Sequence, residues 1–140
     1  MQISRLVYLI FALTLSFSCF AQQRSTVGEV LDKGGIKLNK EEMQQLFAGA
    51  TMTGLQASNN LPYKLVHKSG GLVEGHGSTP SASVSGTWTI NDQGQLCHNM
   101  QNNTGRRFGD CNFFYKANDD YFSANNEDRG TVALERKIGK

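Results

Sequence analysis

The chain has 140 residues, with 14 Lys+Arg against 12 Asp+Glu and a formal net charge of +2. Such a near balance leaves no electrostatic footprint for nucleic acid or for an acidic membrane surface, and the Arg106-Arg107 doublet is too small to make one. The length suits one domain around a single core, and 15 Gly beside 2 Pro point to many tight turns.

Met1 to Arg5 is a short polar start with one positive charge. Leu6 to Leu15 is apolar apart from Thr14. A run this short does not cross a bilayer as a helix, which takes about 20 apolar residues. It has the length of a signal-peptide core, and Cys19-Phe20-Ala21 supplies small residues where a signal peptidase cuts. The reading is a signal peptide over residues 1–21, cleaved after Ala21, and a single disulfide-closed, β-rich domain over 22–140. Two alternatives stay open: a retained membrane anchor, and a lipoprotein in which Cys19 becomes the lipidated first residue.

Residues 22–35 are polar and mixed and read as a loose lead-in. A helix follows. Asn39 caps it, Glu42 three residues on completes a capping box, and Leu38 and Met43 sit at the staple positions. Met43, Leu46, Phe47 and Ala50 recur at helical spacing, with Gly49 as the stop. After Pro62 the period changes to two. Tyr63, Leu65 and His67 alternate with Lys64, Val66 and Lys68, Gly70-Gly71 is a hairpin signal, and the chain returns from Leu72 to Gly77. Val84, Gly86, Trp88 and Ile90 share one strand face. Asn91 to Gly94 is a turn, Gln95 to Met100 a strand, and Gln101 to Arg107 a polar loop. Phe108 to Lys116, Tyr121 to Ala124 and Thr131 to Ile138 are the remaining strands. The predicted fold is mainly β: one N-terminal amphipathic helix, then an antiparallel meander of about seven short strands, barrel-like or a rolled sheet.

Once the signal peptide is removed, Cys97 and Cys111 are an even pair in an oxidising compartment, which predicts a disulfide. That bond serves as a ruler. If the two cysteines face each other across an antiparallel pair, His98 faces Asp110 and Met100 faces Phe108, leaving Gln101–Arg107 as the loop. His98 and Asp110 then lie together on the face opposite the disulfide. They form either a structural cross-strand pair or an acid–histidine dyad serving a site.

The chain resembles an uncharacterised family of small exported proteobacterial proteins, a family known only as a domain of unknown function. The resemblance rests on Glu41 to Phe47 with Gly49-Ala50-Thr51, on Gly86 to Ile90, on Gly94-Gln95-Leu96-Cys97, and on Cys111 followed by Tyr115 and Tyr121. It implies a Gram-negative periplasm or secretion. It implies no reaction, ligand or catalytic residue.

No residue pattern specifies a chemistry. His67, His76 and His98 show no metal-ligand spacing, although a site built with Glu74 or Asp110 stays conceivable, and there is no Gly-x-Ser-x-Gly. Trp88, Tyr115 and Tyr121 are core residues by default and ligand-stacking candidates otherwise. No catalytic residue, metal or cofactor is assigned. The reading is a periplasmic or secreted non-enzymatic binding protein. Its partner is an unknown small molecule or exported protein, not nucleic acid, with no stable membrane insertion after cleavage. The alternative is a small periplasmic hydrolase or metal-dependent enzyme using His/acid pairs.

Overall fold

The computed structural model describes residues 24–79 and 81–140. The expected signal peptide, its expected cleavage point and Cys19 lie outside the described residues. Among those described, no helix is long and apolar enough to cross a membrane.

The elements in chain order are β1 (Ser25–Thr26), α1 (Val27–Asp32), β2 (Ile36–Lys37), α2 (Lys40–Phe47), β3 (Thr51–Leu55), β4 (Pro62–His67), β5 (Leu72–His76), β6 (Ser83–Ile90), β7 (Leu96–Asn102), β8 (Arg107–Ala117), β9 (Asp120–Ala124) and β10 (Val132–Gly139). Strands β3 to β10 each pair antiparallel with the next, and β10 pairs back onto β3. The sheet is therefore a closed eight-stranded meander barrel. Closure leaves none of the eight strands as a free edge, and eight strands enclose just enough room for side chains or one small ligand. The short strands β1 and β2 are attached outside this ring, on β10 and β8.

The amphipathic helix forms as α2, with Asn39 and Glu42 in a reciprocal capping box. It is not the first element of the domain. The lead-in expected to be loose is ordered from Ser25, and α1 carries its own capping box between Thr26 and Glu29. Strand β3 is likewise an addition, because Thr51 and Met52 follow the helix too closely for a period-two pattern to stand out. The loop between β7 and β8 is shorter than expected: Gln101 pairs with Arg107, so the hairpin runs one pair further on the same register.

Alternation along the eight strands sends one side-chain set inward. Leu38, Met43 and Phe47, from α2 and the residues before it, pack on Met52, Leu65, Val73, Trp88, Leu96 and Phe114 and close one end of the barrel. Phe47 is fully buried, with its ring 4.9 Å from that of Phe114. Burying each such side chain contributes about 1.5–3 kcal/mol. Gly86 belongs to this inward set, and a Cβ there would lie 2.0 Å from the Asn99 carbonyl oxygen, so only glycine lets β6 and β7 approach this closely. A second apolar cluster lies on the outer wall, where Val27 and Val30 of α1 cover Phe113, Tyr115, Ala117, Ala124 and Ala133.

Candidate functional site in the open end of the barrel

With α2 closing one end, the β3–β4, β5–β6 and β9–β10 loops surround the other. There the interior opens as a cavity of about 810 Å³, within the range of roughly 300–1,000 Å³ usual for small-molecule sites. Its apolar wall includes Met52, Leu65, Met100, Phe108, Phe114 and Leu134. Its polar groups include Tyr63, His98, Asp110, Asn112, Ser123 and Arg136, with Arg24, Gln56, His76, Asn125 and Thr131 also on the lining.

Cys97 and Cys111 are bonded, with Cα atoms 4.0 Å apart, and they pair in register across β7 and β8. His98 therefore faces Asp110 on the inner face, and its Nδ1 lies 3.2 Å from the Asp110 carboxylate. A third residue extends the pair. His67 of β4 reaches across the barrel, and its Nε2 lies 2.9 Å from His98 Nε2. His67 is fully buried between Phe47 and Trp88. Its Nδ1 has no hydrogen-bond partner among the described residues. A buried acceptor without a partner is easier to tolerate than a buried N–H without one. That places the His67 proton on Nε2, donated to His98, and the His98 proton on Nδ1, donated to Asp110. Both His98 nitrogens are then occupied.

Burial, with a smaller contribution from the nearby His98, pushes the His67 imidazole down to about 4. Asp110 stands at the opening with its side chain 60% exposed. The surrounding wall still raises its carboxyl, but hydrogen bonds from His98 and Asn112, and the charge of Arg136, outweigh this and hold it below the ordinary aspartate range.

Arg136 is a buried cation on the cavity wall and is 8% exposed. Its Nε donates to Ser123 Oγ at 2.9 Å, and Nη1 donates to the Leu55 carbonyl at 2.8 Å. The guanidinium lies over the Tyr63 ring, 5.4 Å from its centroid. Burial raises the Tyr63 phenol, the Arg136 charge opposing and Asp110 reinforcing, so it remains protonated at neutral pH.

Trp88, Tyr115 and Tyr121, the aromatic contact candidates, do not line this cavity. Trp88 is core, its indole N–H donating to the Lys68 carbonyl at 2.9 Å. Tyr115 faces outward under α1, and Tyr121 packs against the core on the inner face. The aromatic lining is instead Tyr63, Phe108 and Phe114. Glu74 pairs with Lys68 at 2.7 Å, and among the described residues no group of three or more His, Cys, Asp or Glu side chains stands together as a metal site requires. The chain matches no family model, no curated protein and no solved structure.

Proposed function

We propose that the protein is a small exported binding protein that holds a small cell-envelope molecule inside its barrel. The observation that carries this is the cavity of about 810 Å³ at the open end, apolar on most of its wall and set with a few convergent polar groups. The occupied nitrogens of His98 support binding over catalysis. A general base needs a nitrogen within reach of a substrate proton, and both of these are engaged by protein groups. Cleavage after Ala21, residence in the periplasm or beyond, and membership of the exported proteobacterial family belong to the same proposal. They rest on the apolar run Leu6–Leu15 and the residues quoted for the resemblance.

Native mass spectrometry of the protein released gently from its host tests this. The expected spectrum shows a chain beginning at Gln22 and carrying a small-molecule adduct that denaturation removes. An intact Met1 or a lipidated Cys19 would overturn the export reading. A protein that stays bare in its own envelope extract would overturn the binding reading.

A further inference from the structure

Deep burial of an arginine inside an apolar barrel is costly unless its charge is met. Arg136 is held by Ser123 and Leu55, which are neutral, and no carboxylate lies within 4 Å of it among the described residues. Its Nη2 makes no hydrogen bond to a described residue, and neither does the Tyr63 hydroxyl. Both residues line the cavity. The backbone opposite accommodates the guanidinium. Gly54 of β3 lies beside the Arg136 side chain, and a Cβ there would stand 2.7 Å from Nη1 and 3.3 Å from the Tyr63 hydroxyl. Two donors, one of them charged, thus sit side by side, next to the apolar stretch of wall formed by Met52, Leu65 and Phe114.

We infer that Arg136 and Tyr63 form an anion clamp, and that the ligand is an amphiphile with a carboxylate head and an apolar body. This deepens the binding reading and rests on it. Charge-assisted bonds from a guanidinium and a phenol suit a carboxylate. The apolar body lies along Met52, Leu65 and Phe114. Asp110 faces the same cavity and acts on Arg136 electrostatically, so a head with a single negative charge is preferred over one with two.

The test uses protein isolated from its host, unfolded in denaturant and refolded with its disulfide intact to remove carried-over ligand. Calorimetric titrations compare dodecanoate, dodecanol, dodecylammonium and dodecyl phosphate. Dodecanoate is expected to bind about tenfold or more tightly than dodecanol. Arg136→Gln should remove that preference, so that dodecanoate binds no more tightly than dodecanol. Tyr63→Phe, which keeps the ring, should narrow it several-fold and provides the test should Arg136→Gln not fold. Equal affinity for dodecanoate and dodecanol, or tighter binding of dodecylammonium, overturns the clamp and leaves the barrel-cavity reading standing. Tighter binding of dodecyl phosphate overturns the single-charge assignment. If none of the four binds, the clamp is overturned together with the apolar cavity it rests on.

Discussion

Gly54 of β3 lies against the side chain of Arg136 of β10, and the missing Cβ of the glycine is the space that the guanidinium fills. Gly86 has a different neighbour. Its absent Cβ would meet the Asn99 backbone oxygen rather than the end of a side chain. The two positions therefore respond differently to alanine. In Gly54→Ala the guanidinium swings away and loses its bond to Leu55, at a cost of about 1 kcal/mol. In Gly86→Ala two strands must separate, at a cost of about 3 kcal/mol, the upper end of overpacking effects. Urea midpoints compare them, and a Gly54 variant as damaged as the Gly86 variant would contradict the packing described.

The fully buried His67 makes stability depend on pH. Its folded value of about 4 lies below the ordinary histidine value of about 6.5. Between these values the unfolded chain binds the proton and the folded chain does not. Stability is therefore fully present above pH 6.5 and falls as the pH drops toward 4, by about 3 kcal/mol in all. Carboxylate pairs such as Asp110 lose their contribution at lower pH still. His67→Gln, which cannot gain this proton, should flatten the profile between pH 6.5 and 4. Urea unfolding at stepped pH measures it, and an unchanged slope in the variant would show that His67 is not the group responsible.

The distribution of what was legible follows from range. Capping, hairpin turns and strand alternation are local, and they place α2, the turn at Asn91–Gly94 and the inward face of β6. The disulfide ruler gives His98 opposite Asp110, since one covalent contact fixes a whole antiparallel register. The first helix was readable too. Thr26-Val27-Gly28-Glu29 is a capping-box pattern, but six helical residues are too few to show an apolar stripe. His67 meeting His98 joins strands that are not neighbours, which happens only because the barrel closes, and no spacing encodes it. Arg136 did leave a trace. It stands between Leu134 and Ile138 at period two, a charge on an apolar face, and such a residue is a candidate for a buried role.

The Cys97–Cys111 bond ties β7 to β8 on the outer wall, behind the pair His98 and Asp110. It closes a short loop, so replacing both cysteines by alanine is expected to cost about 2–4 kcal/mol. The register is also held by backbone ladders and by the inward face, so the cavity should keep its ligand preference once the variant is folded. Peptide mapping without reductant checks the bond, and denaturant midpoints with and without it check the energy. Free, readily alkylated thiols in the native protein would refute the pairing. Loss of ligand preference in a folded variant would refute the separation of the two faces.

Phe47 and Phe108 test the division of the barrel into a closed end and an open one. Phe47 is fully buried, with its ring 5.1 Å from that of His67 and 4.9 Å from that of Phe114. Its truncation to alanine leaves a cavity that the surrounding strands cannot collapse around, and the expected loss is about 3–5 kcal/mol. Phe108 is 41% exposed and lines the mouth. Phe108→Ala removes little buried surface, so its stability should stay within about 1 kcal/mol of wild type. Its effect should fall instead on affinity for an amphiphile such as dodecanoate, whose apolar body passes it on entering. Paired measurements of urea midpoint and dodecanoate affinity separate the two roles. A large stability loss at Phe108 or a small one at Phe47 would mean that the helix is not the plug and that the open end lies elsewhere.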